Sequence, residues 1–257
     1  GMGNHQIINV LRSGNKPIQV VFNNQQTIEH LAGRVADQLE LDSLSLIKEI
    51  ESPYFIESVN LNKEELLSLF LPNSYEMYWN ISAAEFCQRM QRENDLFWNE
   101  SRESKRKQLK MSRAEVITLA AIVNEESRKV DERPRVAGVY LNRLRKGMKL
   151  QADPTVVYAM KLQANDYDLA VRRLLYKDLE IKSPYNTYLY QGLPPGPITM
   201  PDISSVDAVL NYESHNYLFF VVDPKNPGYH LFASTYNEHL ANRKVYVRWL
   251  NENWIMR

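Results

Sequence analysis

The sequence predicts an α+β protein in which a small mixed N-terminal unit precedes a larger, helix-rich α+β domain. Three observations lead there. A β-branched and aromatic run, Ile18-Gln19-Val20-Val21-Phe22, is followed within a few residues by a capped helical pattern. Beyond Ser112, helical periodicities alternate with loops rich in Pro and Gly. Near the C-terminus, two short apolar runs flank Asp223-Pro224-Lys225-Asn226-Pro227-Gly228, a strand-turn-strand pattern ahead of a last helix.

In chain order, Ile18 to Phe22 reads as a strand, Asn23-Asn24 as a turn and Thr27 as a helix cap. The helix is expected over about residues 28–39, with Leu31, Val35 and Leu39 at four-residue spacing. So short a strand-helix unit buries little alone and must lean on its neighbour in the chain. Asn62 caps a helix at Lys63-Glu64-Glu65-Leu66-Leu67, Pro72-Asn73-Ser74 breaks that pattern, and Ser82 caps a long helix through Met90 and Phe97. Residues 102–110 are charged, the composition of a solvated helix end or a linker. The expected division is 1–60, a helical connecting region over 61–111, and a second domain over 112–257. Within that domain, helices are expected over about 112–129, 134–146 and 154–162. The loop Gly192-Leu193-Pro194-Pro195-Gly196-Pro197 comes next, then strands at 217–222 and 229–232, and a helix from Thr235 toward Trp249.

Composition narrows the function classes. Lysine plus arginine number 31 and aspartate plus glutamate 31, whereas a protein that holds nucleic acid by neutralising phosphates carries a basic excess. Nucleic acid is therefore not an expected partner. Tyrosines number 15 against 8 phenylalanines, and amphipathic rings suit a wet groove for a polar polymer as well as an interface. The single cysteine, Cys87, permits neither an intramolecular disulfide nor a multi-cysteine metal site and reads as a small buried hydrophobe. The longest apolar runs, at 116–123 and 217–222, fall far short of the roughly 20 residues that span a bilayer. Gly1 ahead of Met2 reads as the scar of tag removal, which leaves room for a native signal or membrane anchor upstream.

One carboxylate sits where a carboxylate is uncomfortable. At about 100° per residue, Leu119, Ile122, Val123 and Val130 share one stripe of the helix begun at Ser112, and Glu126 falls in its middle. Glu125 lies toward the polar side. Apolar surroundings disfavour the charged form and raise the pKa of Glu126, which suits a general acid that later serves as a base. The competing reading is a satisfied ion pair with Arg133, Arg135 or Arg143, which inward glutamates commonly make. The helical wheel alone leaves both open.

The surrounding blocks carry a resemblance. They are Leu119-Ala120-Ala121-Ile122-Val123-Asn124-Glu125-Glu126-Ser127, Val136-Ala137-Gly138-Val139-Tyr140-Leu141-Asn142-Arg143-Leu144, Gly147-Met148-Lys149-Leu150-Gln151-Ala152-Asp153-Pro154-Thr155-Val156-Val157-Tyr158 and Ser183-Pro184-Tyr185-Asn186-Thr187-Tyr188. In that order they resemble the MltG (YceG-like) endolytic murein transglycosylases, and the likeness covers about residues 115 to 240. Upstream it thins: Leu71-Pro72-Asn73-Ser74-Tyr75 resembles the family's Pro-Asp-Thr-Tyr element with Asn73 and Ser74 substituted. Ala121, Ala152, Met200 and Asp202 also depart from the family pattern.

The resemblance implies a lyase of the bacterial cell envelope, anchored to the inner membrane and facing outward through a segment absent from this chain. It would cut the MurNAc-β-1,4-GlcNAc bond inside peptidoglycan strands and leave 1,6-anhydroMurNAc ends. It implies that Glu126 is the catalytic acid, that the N-terminal unit is LysM-like, and that neither metal nor cofactor is needed. Partners would be peptidoglycan strands, with peptidoglycan synthases as candidates. One carboxylate suffices for such chemistry: Glu126 protonates the leaving oxygen and then takes the proton of the sugar's own C6 hydroxyl, whereas hydrolysis uses two acids.

Gln151, Asp153, Tyr185, Asn186 and Thr187 are the expected substrate contacts, each against a structural alternative. Asp153 ahead of Pro154 reads as an ordinary helix N-cap. Asn186 and Thr187 serve turns as readily as sugars. His230 and His239 are too sparse for a metal site and are expected to orient the last helix. Two other functions stay open. A hydrolytic muramidase would pair Glu126 with Asp153, and a non-catalytic glycan-binding envelope module would need neither.

Overall fold

The computed structural model describes residues 3–6, 16–171 and 173–252, and the expectation about Gly1 and Met2 lies outside them. Strand β1 (Pro17–Phe22) pairs antiparallel with β2 (Asn73–Tyr78), Val20 opposite Tyr75. Val20, Phe22, Tyr75 and Met77 point inward with the period of two that a half-buried strand requires. Between the strands lie α1 (Ile28–Ala36), α2 (Ser43–Ile50), α3 (Pro53–Val59) and a 3-10 turn (Lys63–Leu69). Thr27, Asp42, Ser52 and Asn62 each accept a bond from the backbone N–H three residues on, a cap worth about 1 kcal/mol. Helix α4 (Ala83–Phe97), capped at Ser82, lays Phe86, Cys87 and Met90 on the resulting core. Burial pushes the Cys87 thiol up to about 12, so it is chemically quiet, as expected.

Four expectations change here. The first helix stops at Ala36 rather than 39, and Asn62 opens a 3-10 turn rather than an α-helix. Residues 72–74, read as a break, lead into β2, whose sequence NSYEMY buries only Tyr75 and Met77 and so gives little strand signal. Because β2 supplies β1 with its partner, the N-terminal core continues past the division expected at residue 60, through Met90.

The second core is built around α6 (Arg113–Glu126). Every residue over 116–123 is buried, because α6 packs against α7 (Arg133–Arg145), α8 (Asp153–Ala164), α9 (Ile203–Leu210) and the 3-10 turn of the N-terminal unit. The expected single inward stripe is corrected: this helix is apolar all round because it is central, and Val130 lies outside it, 56% exposed. The charged stretch at 102–110 forms α5 (Glu100–Leu109), which buries no residue and is tied to α9 by Arg102 and Asp207 at 3.0 Å. A 3-10 turn (Tyr176–Glu180) comes after α8. Strands β3 (Phe219–Val222) and β4 (His230–Ala233) form an antiparallel hairpin with Phe220 opposite Phe232, and α10 (Tyr236–Glu252) packs on both.

The two cores interlock through the proline loop. Met200 is fully buried in the N-terminal core; its N–H donates to Gln25 O at 2.8 Å and its carbonyl accepts from Asn24 Nδ2 at 2.7 Å. At Gly196, any Cβ would collide with the Glu64 carbonyl oxygen, so only glycine lets loop and turn meet.

Candidate active site

Ser112 and Glu115 start α6 with a reciprocal capping box, and the helix ends at Glu126, past its fully enclosed stretch. Ser127 turns the chain to extended backbone. Glu126 is thus held rigidly on a buried rod, at the helix end where the backbone dipole already disfavours negative charge. Its surface is only partly covered, but protein surrounds the carboxyl on most sides. Burial is the main cause that raises its pKa to about 7, and the Asp153 charge adds to the rise. A hydrogen bond from Tyr140 and the charges of His230 and Arg143 pull the other way without cancelling it.

None of the three candidate arginines pairs with Glu126. Arg133 donates to Ser127 O and Ser204 Oγ and meets Asp202; Arg135 meets Glu213 at 2.9 Å. Arg143 donates to Leu218 O at 2.6 Å and Leu150 O at 2.7 Å. The carboxylate's hydrogen bond comes instead from buried Tyr140, whose hydroxyl donates to Oε1 at 2.6 Å. Tyr140 is pushed well above its ordinary pKa by burial and the neighbouring acid, so it stays a donor.

Arg143 fixes the opposite wall. By holding the carbonyls of Lys149 and Leu150 and reaching Gln151 Oε1 at 3.4 Å, it shapes the loop that enters α8. Gln151 adopts φ 51°, and its side chain is exposed. Asp153 does not cap α8, as its place before Pro154 suggested: Ala152 occupies the cap position, and Asp153 is the first helical residue with no cap bond. The reason is that Ala152 N–H is taken by Thr187 Oγ1 at 3.0 Å, which anchors the helix start one residue earlier. The freed Asp153 side chain faces the cleft and accepts from Tyr188 Oη at 2.6 Å.

The neighbouring loop is structural. Asn186 is 0% exposed; its amide donates to Leu179 O and Ile181 O, and its oxygen accepts from Tyr188 N–H. Thr187 is buried against Thr155 and Ala152, and Tyr185 packs its ring 4.7 Å from that of Tyr158. The sugar contacts expected of Asn186 and Thr187 give way to these bonds, which orient Tyr188 and Asp153. His239 stacks on Phe219 at 5.2 Å and helps seat α10, as expected. His230 does not: its Nδ1 lies 2.7 Å from Glu132 Oε2, and Ser127 Oγ reaches the same oxygen at 3.2 Å.

Glu126 and Asp153 line a cleft of about 310 Å³ with Tyr158 and Lys161. Glu125, Gln26, Val157 and Lys161 also line an adjoining cavity of about 620 Å³ that reaches Asn24 and His30 of the N-terminal unit. On the other side, Asp153 and Tyr188 border a cavity of about 610 Å³. The acid's cleft thus shares Gln26, Glu125, Val157 and Lys161 with one larger cavity and Asp153 with the other. Sequence reasoning missed Tyr140, Tyr188, Arg143 and the Glu132–His230 pair as site-builders. Tyrosines at buried helical or loop positions look like core until the fold shows what their hydroxyls touch.

The YceG-like family model matches residues 1–245. The chain belongs to the YceG-like family. An endolytic murein transglycosylase of Bacillus subtilis (strain 168) is 31% identical over 268 residues, covering 98% of this chain and 72% of that protein. An endolytic murein transglycosylase of Streptococcus pneumoniae (strain D39) is 33% identical over 133 residues, 52% of this chain and 24% of that one. A crystal structure of a yceG-like protein from Listeria monocytogenes has a TM-score of 0.71 at 30% identity, covering 94% of this chain and 81% of that one. In this YceG-like chain, three of the departures from the family pattern, Ala121, Ala152 and Met200, are fully buried and alter packing rather than the cleft surface. Asp202 donates its backbone N–H to Asn124 Oδ1 at 3.3 Å and pairs with Arg133.

Proposed function

We propose that this protein is a lytic transglycosylase that cleaves the MurNAc-β-1,4-GlcNAc bond inside peptidoglycan strands. The observation that carries the reading is Glu126: a carboxyl with a pKa near 7, held by one tyrosine, in a cleft that shares wall residues with two larger cavities. A pKa near the working pH lets one group donate to the leaving oxygen and then accept the C6 proton. Room adjoining the acid's cleft at both Gln26 and Asp153 suits a strand cut internally. Tyr140 is the positioning residue, while Gln151, Asp153 and Tyr188 offer polar groups to the sugars. The names of the relatives support the substrate class. The N-terminal unit, proposed as LysM-like, contributes the wall at Asn24 and Gln26. An inner-membrane anchor and peptidoglycan synthase partners belong to the same proposal.

A hydrolytic muramidase is the second reading, and a specific observation favours keeping it: Asp153 is not spent on a helix cap and shares the cleft with Glu126. Mass spectrometry of digested, uncrosslinked strands separates the two. Products lighter by one water, with 1,6-anhydro ends lost in Glu126→Gln, support the lyase. Reducing-end muramic acid as the main product overturns it.

A further inference from the structure

The cavity of about 610 Å³ beyond Asp153 differs in charge from the cavity of about 620 Å³ that shares Glu125 with the cleft. Two guanidinium groups, Arg173 and Arg243, line it, and neither has an ion pair or hydrogen bond within the described residues. Some exposed arginines elsewhere, such as Arg135, are matched with carboxylates, whereas Arg34, Arg92 and Arg128 are not among the described residues; what sets Arg173 and Arg243 apart is that both line the cavity that Asp153 borders. Among the described residues, the one acidic side chain lining this cavity, Asp153, is engaged by Tyr188. His239 also borders it and presents a buried Nδ1 with no partner among the described residues. Burial first, then the charges of Arg143 and Arg243, hold His239 below its ordinary pKa, so it is neutral at neutral pH. The cavity of about 620 Å³ carries Glu125 and Asp168, and the lysine described there, Lys161, is bonded to Gln26 at 2.9 Å.

N-acetylglucosamine, and N-acetylmuramic acid whose lactyl carboxyl is amide-linked to its peptide, are neutral sugars and give two unmatched guanidinium groups nothing to neutralise. The charge on peptidoglycan is carried by the carboxylates of the peptide attached to each muramyl lactyl group. Arginine presents a planar fork that matches a carboxylate in two parallel bonds. A side arm on a muramyl residue held at Glu126 has this adjoining cavity open to it, whereas the acidic side would repel it. We infer that the Arg173–Arg243 cavity binds the acidic stem peptide of the muramyl residue at the cleavage site, so that the enzyme reads peptide substitution as well as the glycan. This rests on the strand-cleaving reading above.

The test compares kcat/KM on uncrosslinked strands that keep their stem peptides with kcat/KM on the same strands stripped by an amidase, with the lactyl carboxylate that the amidase leaves on each muramyl residue then capped as its methylamide. In Arg173→Gln/Arg243→Gln, the stem-bearing to stripped ratio should fall at least about tenfold, the loss expected when charge-assisted hydrogen bonds disappear. Arg173→Lys/Arg243→Lys should restore part of that ratio. In wild type the same ratio should fall as salt is raised, a readout that needs no variant to fold. An unchanged ratio in the glutamine variant, or equal loss on both substrates, overturns the stem site and leaves the lyase reading standing. If wild type cleaves neither substrate, the lyase reading itself fails and the stem site falls with it.

Discussion

Replacing Glu126 by glutamine should abolish cleavage and, at neutral and alkaline pH, make the protein more stable. The amide is nearly isosteric and its oxygen still accepts from Tyr140. What it removes is the cost of ionising a surrounded carboxyl. The native pKa of about 7 lies above the ordinary 4.5, so the folded state holds this proton more tightly than the unfolded chain. The associated stability is fully present below pH 4.5 and lost as pH rises through 7. One pKa unit corresponds to about 1.4 kcal/mol, so the wild type forfeits about 3 kcal/mol across that window. Glu126→Gln escapes this loss. Urea unfolding of both proteins at pH 4, 5.5, 7 and 8.5 would show near-equal stability at the acid end, with the variant gaining progressively to a plateau above about pH 7. A variant less stable than wild type by an amount that grows with pH would mean that the ionised form is stabilised by a partner, and the argument would fail.

Tyr140→Phe removes the bond that favours the ionised acid, worth about 1.5–3 kcal/mol for a charged acceptor, so the limb of the pH–rate profile assigned to Glu126 should move up by about one to two units. Asp153→Asn removes a raising charge, so the same limb should move down, by less than the tyrosine change moves it up, because the Asp153 effect is the smaller. Its melting temperature should stay near wild type, since no cap bond is lost, and its main product should still be anhydro-ended. A fragment beginning near Arg106 should not fold: Leu71 belongs to the second core and the 63–69 turn packs on α6, so circular dichroism should show loss of cooperative unfolding.

The helices were legible because their signals are local. Ser82 and Ser112 each announce a helix with a glutamate three residues on, and both form the reciprocal cap. Glu126 stood out because an acid interrupts an apolar run, although the stripe used to place it was too narrow for a helix enclosed on all sides. Strand β2 was hidden because pairing with β1 over some fifty intervening positions leaves no mark in a half-polar hexapeptide. Asp153 was misassigned because Asp-Pro is an ordinary helix start, and only Thr187, distant in sequence, moves the cap to Ala152. Likewise, which arginine would satisfy Glu126 was a question about distances. The answer, none of the three, comes from each guanidinium having carbonyl or carboxylate partners elsewhere.

Met200 gives the molecule an order of assembly. The N-terminal core is bounded early in the chain by β1 through α4, yet it has a hole until a methionine from the far side of the second core arrives, and Asn24 waits 176 positions for the carbonyl it binds. Closing so long a loop is entropically slow, and contacts of this separation lower folding rates. During synthesis the first unit therefore emerges with its hydrophobic interior unsealed, and it seals only after α6, α7 and α8 are made. A chain exported before folding would meet no such delay, since all of its length is available when folding begins. The same arrangement means that the N-terminal unit is not a portable module: grafted elsewhere, it would carry an open seam where Met200 belongs.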